Sequence, residues 1–284
     1  MQVKSHKEDI QAYHDQVGDF RVGKRNTKPL LFGREGRPDN YKLGFGGAGS
    51  GEDWTTPRHR HTFEQIRYVA SGEYVIRKDE VMPTGWIAYF PESCYYGPQI
   101  KRADCDMLTL QFGGPSGLGY WSTVERKNAF DALLAKGAFE DGMFVWTDEN
   151  GKKHHQDAGE AVEEQARGAP VAYPEPRYKD IIVMDPDAYS WVNDKEHPGV
   201  ARKHLGSFSE RDIRIAFIRL EKGASLDFGL EKSNEVMFLK EGAMTQDNTR
   251  YEEHAAFGME PEEQPVTLQA VEPSELVYVK MPTF

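Results

Sequence analysis

The chain has 284 residues, of which 38% are apolar and 29% charged, and a formal net charge of −11. Its length suits one large domain or two of about 140 residues, and no run approaches the ~18 consecutive apolar residues of a membrane helix. The acidity, with no Lys/Arg run to offset it, excludes phosphate backbones and anionic lipid as natural partners. What remains is a small molecule or a second copy of the chain, the latter as a homodimer.

The opening MQVKSHKEDIQAYHDQ has no apolar stretch or cleavage pattern of a secretion signal. Cys94 and Cys105 are the only cysteines, which gives no disulfide framework and suits a reducing compartment. The expected location is cytoplasmic. The first 27 residues read as a polar arm with one short helix.

From about residue 28 to 114, short runs rich in β-branched and aromatic residues alternate with Gly, Pro and Asp breaks, as in EQIRYVASGEYVIRKD, GWIAYFP and DMLTLQFGG. This is the pattern of many short strands. The glycine-rich stretch at 44–53 lacks the strand-to-helix setting of a phosphate loop, and reads as a flexible turn or lid. Around residues 120–168 the character becomes helical. Ser122 is a candidate N-cap for STVERKNAFDALLAKGAFEDG, and GEAVEEQARG reads as a second short helix. DENGKKHHQD between them reads as a polar loop with His154 and His155 solvated. Strand-like runs return from about residue 179 in KDIIVMD, RIAFIRLEKGASLDFG, NEVMFLKEG and SELVYVKMP.

A shift of 170 residues superposes the two strand-rich regions without a gap. QIRYVASG (65–72) falls on EVMFLKEG (235–242), Pro91 on Pro261, and MLTL (107–110) on VYVK (277–280). The implied domains are residues 1–115, a connecting segment 116–178, and residues 179–284.

The first half carries His59-x-His61-x3-Gln65-x6-Gly72, then Gly85-x5-Pro91-x-Ser93-x2-Tyr96. These stretches resemble the two cupin motifs, and with the repeat the whole resembles a bicupin. The resemblance implies an all-β fold, two double-stranded β-helix barrels (jelly-roll-like) joined by a partly helical connection. It also implies a divalent metal at the motif positions His59, His61, Gln65 and Tyr96, with Fe(II) first and Mn, Ni or Zn as alternatives. The family's Glu position holds Gln65 and its second-motif His position holds Tyr96, which lowers the charge of the donor set. Strand alternation sends Glu64 to the opposite face and Arg67 to the face of Gln65. Arg67 is expected either to pair with an internal carboxylate or to receive an anionic ligand. Cys94 shares the face of Tyr96, as a candidate substrate contact or as core filler, whereas Trp86, Tyr89 and Phe90 read as strand packing. In the second half the shift sends His59 to Gly229, His61 to Glu231, Gln65 to Glu235 and Tyr96 to Val266, so that barrel is expected to be structural.

Three functions fit: a dioxygenase-type oxidoreductase acting on a small anionic molecule, a metal-assisted lyase, isomerase or hydrolase with Tyr96 as acid or base, and a non-catalytic small-molecule binder.

Overall fold

The computed structural model describes residues 1–5, 7–8, 10, 26–47, 51–121 and 123–284. The expected helix of the N-terminal arm and the Ser122 cap lie outside the described residues, as does part of the 44–53 turn.

Each half folds into a large antiparallel sheet facing a four-stranded one. In the first half the six-stranded sheet runs Ile182–Met184, Ile87–Phe90, Phe63–Ser71, Asp106–Gly113, Tyr41–Gly47 and Asn26–Phe32. Its four-stranded partner runs Trp54–Thr56, Gln99–Lys101, Glu73–Arg77 and Glu80–Pro83. The second half repeats this with a seven-stranded sheet centred on Glu235–Glu241 and Ser274–Lys280 and a four-stranded sheet from Ser225–Phe228 to Thr249–Glu252. The architecture is the all-β double barrel that the repeat implies.

Edge strands are exchanged between the halves. Gln2–Ser5 pairs with Ala255–Met259 of the second half, and Ile182–Met184 pairs with Ile87–Phe90 of the first. Each exchange covers ladder groups that would otherwise form an open edge.

The two large sheets pack face to face, and their contact explains the unbroken burial of Phe63–Val69. Ile66 and Tyr68 point into an apolar layer shared with Phe217, Val236, Phe238 and Val277. Val69, on the other parity, enters the first barrel with Tyr74, Ile76, Phe90, Tyr96 and Met107. A strand buried on both faces loses the apolar–polar alternation that would reveal its inward side.

The ladders correct the register of the repeat. Gln65 pairs with Phe90 and Gln111, whereas Glu235 pairs with Met259 and Lys280, so the later strands correspond at an offset of 169. The extra residue sits in the first half's hairpin, where the register shifts between Val75 and Arg77, while the corresponding second hairpin pairs evenly. That bulge at Ile76 inserts one residue into one strand. The counterpart of Tyr96 is therefore Pro265 rather than Val266, and that of Pro91 is Glu260 rather than Pro261. Met107–Leu110 falls on Leu276–Val279.

The connecting segment is more β-rich than expected. Its helices are Thr123–Leu134 and Ala158–Arg167, and between them Gly137–Glu140, Met143–Thr147 and Lys153–Asp157 form a three-stranded sheet. The segment read as a polar loop is thus the turn and last strand of a hairpin, in which His154 stacks on Trp146 and bonds Asp148 through Nε2 at 2.8 Å. The second helix starts at Asp157, whose carboxylate accepts from the Gly159 and Glu160 amides, and stops at Gly168 in the left-handed conformation.

Glu64 lies on the face away from the first barrel's interior, as its parity requires. It is 1% exposed, Oε1 accepts from Tyr89 Oη, and Oε2 has no partner among the described residues. Burial pushes its carboxyl well above the ordinary value, against the opposing pull of the Tyr89 hydroxyl. The unfolded chain releases this proton at the ordinary carboxyl pH while the folded chain keeps it, so stability falls as pH rises between the two values. Glu64→Gln removes that titration. Melting curves from about pH 5 to 9 should show a flatter decline in Glu64→Gln than in the wild type; parallel curves would mean that Glu64 ionises normally in the fold.

Candidate functional site

His59 and His61 lie just before the Phe63–Ser71 strand, on a segment pinned to the second motif by backbone bonds. His59 and Tyr96 exchange N–H···O bonds of 3.0 Å in both directions, and the Ser93 amide donates to His61 O at 2.7 Å. These bonds bring the two motifs together across more than thirty residues of chain. The ring centroids of His59 and His61 are 4.9 Å apart, that of Tyr96 is 4.7 Å from His59 and 6.1 Å from His61, and His61 stacks on Phe63 at 4.4 Å.

His59 Nδ1 lies 2.7 Å from Pro57 O. A carbonyl only accepts, so Nδ1 carries the proton and donates it to Pro57 O.

Gln65 and Arg67 enter the same barrel, as alternation requires. Gln65 Oε1 accepts from Arg67 Nη2 at 2.8 Å and from Gln111 Nε2 at 3.2 Å, while Gln65 Nε2 donates to Tyr96 Oη. Because a guanidinium has no acceptor, the Arg67 contact fixes which end of the Gln65 amide is oxygen. That oxygen thus has two donors, and the amide nitrogen links the pair to Tyr96.

Arg67 is 5% exposed and also donates to Tyr74 Oη and to Gln99 Oε1, the latter at 3.2 Å. Its guanidinium lies over the Phe90 ring at 4.6 Å and the Tyr96 ring at 5.7 Å. The aromatic faces and neutral acceptors hold the planar group in one orientation.

A cavity of about 70 Å³ opens beside these groups. Its lining includes His59, His61, Arg67, Lys42, Arg126 and Trp121. Neither Asp nor Glu lines it among the described residues, and Lys42, Arg67 and Arg126 are all at least nine-tenths buried. Three buried cationic side chains thus converge on one small cavity.

Lys42, Arg126 and Trp121 were not singled out in the sequence. Lys42 was legible in principle: Tyr41, Leu43 and Phe45 alternate toward the inter-barrel layer, which sends Lys42 inward. Arg126 and Trp121 arrive with the connecting segment, and no local pattern marks them.

Cys94, the candidate substrate contact, is buried but does not line this cavity; its Sγ lies 4.0 Å from Tyr95 O, and burial pushes its thiol up. Phe90 faces Arg67, whereas Tyr89 stacks on Phe208 in the inter-barrel layer.

In the second barrel Met237, at the position of Arg67, joins Leu239, Met244, Phe257 and Met259 in a filled apolar interior. Glu231 is paired with Arg214 at 2.9 Å, and Glu235 accepts from Tyr278 Oη at 2.7 Å. Burial pushes the Glu235 carboxyl up. Among the described residues, no group of three or more His, Cys, Asp and Glu can hold a metal in either barrel.

Neither a protein-family model nor a curated protein sequence matches the chain. Solved structures do match in fold. Oxalate decarboxylase from Bacillus subtilis superposes with a TM-score of 0.54 at 11% identity, over 99% of this chain and 76% of the other. A Nostoc punctiforme protein with a provisional dioxygenase assignment gives 0.58 at 10% identity, over 99% and 79%. Salicylate 1,2-dioxygenase from Pseudoaminobacter salicylatoxidans, with gentisate, gives 0.51 at 18% identity, over 94% and 76%. Together with the paired motifs, the repeat and the two sheet pairs, these likenesses establish the chain as a two-barrel cupin in fold.

Proposed function

We propose that the first barrel, within residues 1–115, is the working site of a metal-dependent enzyme acting on a small organic anion, with dioxygenase-type oxidation as its chemistry. The observation that carries the anion is the convergence of the buried cations Lys42, Arg67 and Arg126 on one cavity beside the histidine pair. The dioxygenase class is supported by the fold likeness to salicylate 1,2-dioxygenase and by the donor set.

The donors fit a divalent ion in a reduced form of the expected set. His59 and His61 would hold it with the Tyr96 phenol, and the bond of His59 Nδ1 to Pro57 O would orient the ring. Gln65 is left out, because its oxygen is given to Arg67 and Gln111. Two imidazoles and one further donor leave open positions, and bound Fe(II) would supply oxygen activation there.

The chain's own groups do the rest. Arg67 binds the anion and, held by Gln65 and Gln99, fixes its orientation. Trp54, Phe63 and Trp121 keep bulk water out of the cavity wall. The Gln65 amide, donating to Tyr96 Oη, fixes the phenol beside His59. That same bond favours a second reading, in which Tyr96 moves a proton in a non-oxidative lyase or isomerase reaction.

Metal content of protein purified without chelator, followed by oxygen uptake with small diketone and hydroxy-acid compounds, tests the proposal. Bound iron with uptake supports it. Turnover with another metal and no uptake selects the second reading. Anion binding with no metal retained would make the barrel a binder rather than an enzyme.

A further inference from the structure

Beside the cavity lies a larger outer groove of about 480 Å³, walled by Gly36–Pro38, Gly117–Tyr120 and the end of the Ala158–Arg167 helix. Trp121 lines both spaces. On its outer side are Tyr120, Glu125 and Arg167; on its inner side are His59, His61 and Arg67. The indole is 9% exposed, Arg126 lies over it at 4.2 Å, and Nε1 has no hydrogen-bond partner among the described residues. A buried indole N–H normally finds an acceptor, and leaving one unmet is unfavourable. The wall is tied to the site: Tyr120 Oη donates to Gln111 Oε1 at 3.2 Å, and Gln111 in turn donates to Gln65.

We infer that Trp121 is the specificity gate of the first barrel: its ring divides the groove from the cavity and limits the size of the anion admitted, and its Nε1–H donates to the anion that fits. A carboxylate of a few heavy atoms is within the capacity of about 70 Å³, whereas an aromatic carboxylate needs the space that the ring occupies. Removing the ring joins the two spaces into one channel of drug-ligand dimensions. The connecting segment thereby sets the substrate range of a barrel to which it contributes no strand.

This inference rests on the reading of the first barrel as an anion site, and the test separates the two. Calorimetric titration of the full-length protein with acetate and with benzoate is compared for the wild type, Trp121→Phe, Trp121→Ala and Arg67→Met, with melting temperatures to confirm folding. The wild type should prefer acetate. Trp121→Phe keeps the size limit but loses the N–H, so acetate binding should weaken roughly tenfold, the range of a hydrogen bond to a charged group. Trp121→Ala should reverse the preference, with benzoate binding at least ~tenfold tighter than to the wild type. If Trp121→Ala does not fold, Trp121→Phe still decides the N–H contact and Trp121→Leu decides the size limit. Loss of acetate binding in Arg67→Met with an unchanged acetate-to-benzoate ratio in the Trp121 variants would overturn the gate and leave the anion site standing. Unchanged acetate binding in Arg67→Met, or no binding of either probe to any variant, would overturn both.

Discussion

Arg67→Met is expected to weaken binding of a small carboxylate by more than about tenfold, because a charge-assisted pair of this kind contributes about 1.5–3 kcal/mol. The second barrel carries methionine at the corresponding position, so the backbone accepts that side chain. The substitution nonetheless strips donors from Gln65 Oε1, Gln99 Oε1 and Tyr74 Oη, all of them buried. Gln65 Oε1 keeps the Gln111 donor and Gln99 Oε1 keeps Thr56 Oγ1, so the cost falls mainly on Tyr74 Oη, about 1–3 kcal/mol if nothing replaces the donor. A fall of several degrees in melting temperature should accompany the loss of affinity. Arg67→Lys keeps the charge but cannot span Gln65, Gln99 and Tyr74 with one planar fork, so its affinity should lie between the two. Calorimetric titration together with thermal melts measures both quantities. A folded Arg67→Met variant with wild-type affinity would remove Arg67 from the site.

The second large effect is an asymmetry between the barrels. His59→Ala or His61→Ala should reduce bound metal by at least tenfold, since even the loss of a residue that only orients a ligand costs about 10–100-fold. Activity should fall with it while the melting temperature changes little, because both rings border the cavity rather than the packed interior. Glu231→Ala and Glu235→Ala should leave metal content unchanged. Glu231→Ala removes one partner of Arg214, which keeps Asp212, and Glu235→Ala removes the acceptor of Tyr278 Oη, so both should act on stability alone. Elemental analysis and melting curves of the four variants are the measurement. Metal loss in a folded Glu235→Ala variant would place the site in the wrong barrel.

Much of the first barrel was legible in advance, and the misses have physical causes. Period-two alternation is a local property of extended backbone, so the inward direction of Gln65 and Arg67 and the outward direction of Glu64 could be stated from three neighbouring residues. The repeat was equally legible in outline, since matching apolar strands recur wherever the same fold recurs. Its single bulge was not, because an inserted residue at Ile76 changes register without changing composition. The hairpin containing His154 reads as a loop in the sequence because its last strand, KHHQD, is polar and gains its place by pairing with Met143–Thr147.

The amino-acid sequence by itself determined the two-barrel, all-β architecture, that the histidine pair belongs to the first barrel only, and that the second barrel has no equivalent of it. Those conclusions need only spacing and alternation, which are written along the chain. Tertiary structure decided what each side chain does. It gave the Gln65 oxygen to Arg67 and Gln111, exchanged Gln2–Ser5 and Ile182–Met184 between the halves, and brought Arg126 and Trp121 from the connecting segment to the cavity. Such choices depend on which donors and acceptors meet across distant stretches of chain, and a buried polar group takes the partner that the fold places beside it.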